Sequence, residues 1–139
     1  LIANTNQTLR IFDRNLSRGF NTPQRATLMR NVLLANRANR IYIVLHETSA
    51  IVRDFPRLMM LLKQFSHSLF INQTLPDARG VYDPFAIADD ERFVRRFHYD
   101  SMRGVATVGD IAATSLLLRR YEEIWAVSSP AVAATTTGL

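Results

Sequence analysis

No cysteine occurs in the 139 residues. This excludes disulfides, thiolate nucleophiles and cysteine-ligated zinc or iron–sulfur centres, and leaves the compartment open. Lysine is nearly absent as well: of 17 basic residues, 16 are arginine and Lys63 is the exception. A GC-rich genome produces such a bias, and so does selection for planar forks that grip phosphates or carboxylates. The five glycines are scattered, so there is no phosphate loop and no G-x-S-x-G nucleophile elbow. No apolar run reaches the ~18 residues of a membrane-spanning helix. The three histidines, His46, His67 and His98, stand in separate segments without metal-ligand spacing, so no metal or cofactor is expected. Asp83, Asp89, Asp90 and Glu91 lack the alternation of a calcium loop. His46 beside Glu47 reads as a hydrogen-bonded interior or interface pair. No catalytic residue is assigned.

What remains is enough for one domain: 47% of the residues are hydrophobic, sufficient for an ordinary core at this length. The N-x-S/T triplets at Asn6, Asn15 and Asn72 read as chance. A chain beginning at Leu1 reads as a processed product or a fragment.

The stretch over residues 21–55 organises the reading. Asn21-Thr22-Pro23 combines a side-chain cap with a proline at the first helical position. Asp54-Phe55-Pro56 ends it. Leu34, Ala38, Ile41, Leu45, Val52 and Phe55 step by three, four or seven, which predicts one long helix. Ile41, Tyr42, Ile43, Val44 and Leu45 are apolar on every side, so they are expected at the centre of the core or of a subunit interface.

Residues 5–18 are expected as a first helix, with Leu9, Phe12 and Leu16 on one stripe and Arg10, Arg14 and Arg18 on another. Residues 56–71, with Asp54 as cap, are expected as an apolar helix, and residues 72–84 as a loop. A fourth helix is expected over residues 88–100, its first turn holding Asp89, Asp90 and Glu91 where the dipole favours acids. A last helix runs from Ile111 to about Val127. The fold class that follows is all-α: a single compact bundle of about five helices over residues 1–127, with a flexible C-terminal tail over residues 128–139. The alternative is α+β with a short strand near residues 40–46.

Charge is lopsided. Residues 1–70 hold ten basic and three acidic side chains, and residues 71–139 hold seven and nine. A polyanion partner for the first half, or head-to-tail packing of copies, would use that asymmetry. The expected function is a non-enzymatic structural or assembly subunit of a larger protein or nucleoprotein complex. The alternative is an arginine-rich RNA- or DNA-binding module using Arg10, Arg14, Arg18, Arg25, Arg30, Arg37 and Arg40 on phosphates. A small enzyme or ligand-binding domain without recognisable motif stands third. Partners are expected to be other subunits or copies of the chain, with RNA or DNA as the second option and no small-molecule substrate.

Overall fold

The computed structural model describes residues 7–16, 21–76, 84–96, 104–108 and 111–132. The domain is α+β, not a helical bundle. Its strands are β1 (Thr8–Asp13), β2 (Arg40–Leu45), β3 (Leu69–Thr74), β4 (Phe85–Ala88), β5 (Arg92–Arg96), β6 (Gly104–Val108) and β7 (Ser128–Val132). Its described helices are α1 (Pro23–Ala35), α2 (Ile51–Asp54), α3 (Pro56–Gln64) and α4 (Ile111–Ala126). Among the described residues one mixed sheet has the order β6-β5-β4-β1-β2-β3-β7. β1, β2 and β3 are parallel, while β4, β5, β6 and β7 join by antiparallel pairing.

The first expected helix is β1. Side chains along it alternate: Leu9 and Ile11 enter one core while Phe12 enters the other. That is the two-residue period of a strand, which the three- and four-residue steps of Leu9, Phe12 and Leu16 concealed. The long helix over residues 21–55 is three elements. Its start is as expected, since the Thr22 hydroxyl accepts from the Arg25 N–H (3.3 Å) and Pro23 opens the first turn. It stops at Asn36, whose backbone is extended and whose Oδ1 accepts from the Ala38 N–H at 2.8 Å. This side-chain turn is the break that the continuing three-four spacing masked. The chain re-enters the sheet at Arg40.

Residues 41–45 are therefore strand, as the alternative for residues 40–46 had it. Ile41, Ile43 and Leu45 pack under α1, α2 and α3, and Val44 packs under α4. Tyr42 is half-buried on the α4 side. A parallel strand covered on both faces reads as a continuous apolar run. The all-round apolar patch is thus core of a single chain.

The helix expected over residues 56–71 ends at Gln64, and β3 follows. Phe55, not Asp54, stands at its N-cap. The start of the expected loop over residues 72–84 belongs to β3; residues 77–83 lie outside the described residues. The expected fourth helix is a hairpin. Asp89 and Asp90 take left-handed backbone (φ 56° and 59°) between β4 and β5, a conformation that aspartate tolerates in tight turns. The Asp89 carboxylate accepts from the Gln7 N–H (2.6 Å) and the Thr8 N–H (2.9 Å), pinning the start of β1. The acids serve a turn, not a helix dipole; residues 97–100 lie outside the described residues.

The last helix is α4, over the expected range. The expected flexible tail is strand where described: β7 pairs with β3 and buries Val132. Pro130 sits there without penalty because β7 is an edge strand. Residues 133–139 lie outside the described residues.

Helices cover both faces. Met29, Val32 and Leu33 of α1 and Leu58, Leu61 and Leu62 of α3 form the larger core with one face. Leu117, Tyr121 and Ile124 of α4 cover the other, against Phe12, Val44, Phe85, Ile87 and Phe93. The Tyr121 hydroxyl donates to the carbonyls of Tyr42 (2.8 Å) and Ile11 (3.2 Å), tying α4 to the two central strands.

Candidate functional site

Three parallel strands end together, and their carboxyl ends gather several polar side chains. Asp13 closes β1 at 4% exposure, and its Oδ1 accepts from the Arg14 N–H at 2.8 Å. His46 follows β2 directly. Its Nδ1 lies 2.7 Å from the Thr74 hydroxyl at the end of β3. The Phe12 ring meets the imidazole edge-on, with centroids 5.1 Å apart. The Gln73 Oε1 accepts from both the Thr48 N–H (3.2 Å) and the Thr48 hydroxyl (2.6 Å), fixing the turn after His46. Backbone bonds His46 N–H to Asp13 O (3.3 Å) and Glu47 N–H to Arg14 O (2.8 Å) extend the β1–β2 pairing past the sheet.

The strand register explains the convergence. Asp13 faces Leu45 and Leu45 faces Gln73, so the next residues, Arg14, His46 and Thr74, end up in one row. In open sheets of this kind ligands bind in the crevice beyond the carboxyl ends of the strands. Arg14 is exposed and His46 half-buried there. The row can present a guanidinium to an anion beside an imidazole whose ring orientation Thr74 holds. Glu47, expected to pair with His46, is exposed and accepts from the Ser49 N–H at 3.0 Å.

The described arginines among the seven named from the sequence are dispersed over the fold. Arg14 lies at the carboxyl ends, and Arg25 in the first turn of α1, which starts at the same edge. Arg37 and Arg40 lie at the opposite edge, where the Arg40 guanidinium donates to the Arg37 carbonyl (2.6 Å) and the Asn39 carbonyl (2.9 Å). Arg30 is exposed on α1. Arg10 points to the α4 side, ion-paired with Asp90 and over the Tyr42 ring (5.6 Å to its centroid). Arg18 lies outside the described residues. With Arg10 on β1 and Arg14 just past its end, the two sit roughly 13 Å apart at ~3.3 Å per residue, not one helical turn apart. Of the residues brought together at the carboxyl ends, only Arg14 was among those assigned. Thr74 and Gln73 were missed because nothing local marks them; only strand register does so.

Among the described residues no three His, Asp or Glu side chains stand close enough to hold a metal ion. No described helix is long and apolar enough to cross a membrane. Burial pushes the Tyr121 phenol well above its ordinary value, with Arg10 opposing the shift.

Parallel β1–β3 flanked by antiparallel strands, with helices on both faces, form an arrangement similar to solved phospholipase D-like folds. A crystal structure of a phospholipase D family member, Nuc from Salmonella typhimurium, superimposes with a TM-score of 0.65 at 13% identity, covering 94% of this chain and 85% of that one. NucT from Helicobacter pylori gives 0.59 at 13% identity, over 94% and 86% of the two chains. TrmBL2, an archaeal chromatin protein whose structure shows a novel mode of DNA binding, gives 0.63 at 14% identity over 94% of this chain. This chain spans about half of that protein's length, 48%. The chain belongs to the family described as Domain of unknown function (DUF7931), whose family model matches residues 1–134. Comparison with curated proteins finds no match.

These findings correct the expected function. A non-enzymatic structural or assembly subunit followed from a helical bundle with an all-round apolar helix patch. The patch is instead a core strand, and the fold is one shared with phospholipase D family members. The helical-bundle, assembly and oligomer descriptions fall with it.

Proposed function

We propose that this domain is an enzyme directed at the phosphodiester groups of nucleic acids, with its reaction centre at the carboxyl ends of β1, β2 and β3. The observation that carries this reading is the row Arg14–His46–Thr74 at that edge of a phospholipase D-like sheet. Likeness to Nuc and to a DNA-binding chromatin protein supports phosphodiesters as the ligand class.

With the Nδ1 proton donated to the Thr74 hydroxyl, the Nε2 lone pair of His46 is the base. A water gives its proton to Nε2 while its oxygen bonds to phosphorus, and the P–O bond opposite breaks. The imidazolium then returns the proton to the departing alkoxide. Arg14 would hold the phosphoryl oxygens as negative charge builds on them. Nε2 is enclosed in this conformation, so the ring must be uncovered before it acts.

The test is hydrolysis of bis(p-nitrophenyl) phosphate and of labelled single-stranded DNA and RNA by the full chain, beside His46→Ala purified identically. A loss of ~10²–10⁴-fold in His46→Ala, with nucleic-acid binding retained, is expected for a proton-transfer group. A wild-type chain that cleaves none of these substrates refutes the reading. Equal activity in His46→Ala refutes the role of His46.

A further inference from the structure

A second concavity lies away from the carboxyl-end row, between the sheet and the flank of α4. Arg10, Tyr42, Tyr121, Glu122, Trp125 and Ala126 line about 290 Å³. That is at the lower end of small-ligand pockets, ~300 Å³, and admits one flat ring system. Its walls are aromatic and mutually braced. Tyr42 stacks on Phe70 (centroids 5.5 Å, planes 14° apart), and Trp125 meets Tyr42 edge-on at 5.4 Å. Trp125 also stacks on Tyr121, 6.2 Å away and inclined 20°. The strand register produces this alignment, because Arg10 faces Tyr42 and Tyr42 faces Phe70 on one side of the sheet.

Two charged groups decide what fits. The Arg10 guanidinium, ion-paired with Asp90, already occupies the cation position over the Tyr42 ring, so that ring face is not open to a quaternary ammonium. Exposed Glu122 supplies an acceptor at the rim. A planar ring that carries both an acceptor edge for Arg10 and an exocyclic amine for Glu122 is complementary to this arrangement. Nucleobases have that character, and aromatic side chains bind them by stacking.

We infer that the pocket framed by Arg10, Tyr42, Glu122 and Trp125 binds a nucleobase. The inference rests on the nucleic-acid reading above and deepens it. A single-stranded chain is the form that offers such a base, since a paired base is already stacked. Arg10 lies on β1 and Arg14 just past its end, four residues or roughly 13 Å apart at ~3.3 Å per residue. The pocket is therefore a subsite for a nucleotide other than the one whose phosphate meets Arg14.

Trp125 is the single tryptophan of the chain, so intrinsic fluorescence reads the pocket directly. The full chain is titrated with the four nucleoside 5′-monophosphates, ribose 5-phosphate and choline. Saturable quenching by nucleotides and none by ribose 5-phosphate is expected. Tyr42→Leu should weaken it by about 5- to 150-fold, the loss of one stacked base. Glu122→Gln, at an exposed position, should keep the fold by circular dichroism and reduce the preference for amino-bearing bases over uracil. Absence of saturable quenching by any nucleotide overturns the inference. So does equal quenching by ribose 5-phosphate, or quenching by choline alone. Bis(p-nitrophenyl) phosphate carries no base. If it is hydrolysed through His46 while nucleotides fail to quench, only the pocket is refuted. Quenching without any hydrolysis leaves the pocket standing and refutes the enzymatic reading.

Discussion

Tyr121→Phe separates the hydroxyl that ties α4 to the sheet from the ring that fills the core beneath it. The ring stays against Phe85 and Trp125. The hydroxyl loses its bonds to the carbonyls of Tyr42 (2.8 Å) and Ile11 (3.2 Å). The hydroxyl shares its one proton between the two carbonyls, and one such bond contributes about 0.5–1.5 kcal/mol net, so the variant should be destabilised by about that much near pH 7. For a domain of this size that is roughly 3–4 °C in Tm per kcal/mol.

The pH dependence makes the test sharper. Burial raises the folded-state pKa of Tyr121 well above the ordinary 10.0. The folded state therefore holds the phenolic proton more tightly than the unfolded chain does. That stability is fully present below pH ~10 and is lost as pH rises from there toward the folded-state value. Phenylalanine has no such dependence, and the other tyrosines cancel in the comparison. The advantage of wild type over Tyr121→Phe should be constant from pH 7 to 9 and then shrink by about 1.4 kcal/mol per pH unit above ~10. Urea unfolding by circular dichroism at pH 7, 9, 10.2 and 10.8 measures it. A difference that stays flat across that range would refute the burial of an un-ionised phenol beneath α4. A variant as stable as wild type at pH 7 would refute the two carbonyl bonds.

The same geometry fixes two further outcomes. Thr22→Ala removes the side-chain acceptor for the Arg25 N–H and should cost about 0.5–2 kcal/mol, read as a lower urea midpoint with an unchanged slope. If the carboxyl ends of the parallel strands meet phosphates, Arg14→Ala should lower the salt slope of nucleic-acid binding by about one. Arg37→Ala, at the opposite edge, should leave that slope unchanged. Equal effects of the two substitutions, measured by fluorescence anisotropy between about 50 and 200 mM salt, would remove the carboxyl-end assignment.

Local chemistry makes some elements legible in the amino-acid sequence. Asn21-Thr22-Pro23 marks the start of α1, because a hydroxyl cap and a proline act through neighbours in sequence. The stripe of Leu117, Tyr121 and Ile124 marks α4, which presents one face to a core and the other to solvent. Length and composition supply enough apolar side chains for a core and exclude cysteine chemistry. Arg14 can be named from its sequence alone, though as part of a helical stripe with Arg10, which lies on a strand.

The rest is decided in three dimensions. Residues 41–45 have the same apolar character whether they are a buried helix or a parallel strand covered on both faces. Only their pairing with β1 and β3 resolves the two. The Asx turn at Asn36 breaks the helix through one side-chain bond, a signal too local to interrupt the longer periodicity. Ser128–Val132 looks like a tail because small residues and a proline form no core by themselves, yet the open edge of β3 supplies the hydrogen bonds that make it a strand. The row Arg14–His46–Thr74 and the pocket framed by Tyr42 and Trp125 join residues far apart along the chain. Strand register and the docking of α4 bring them together, and neither leaves a mark on local sequence.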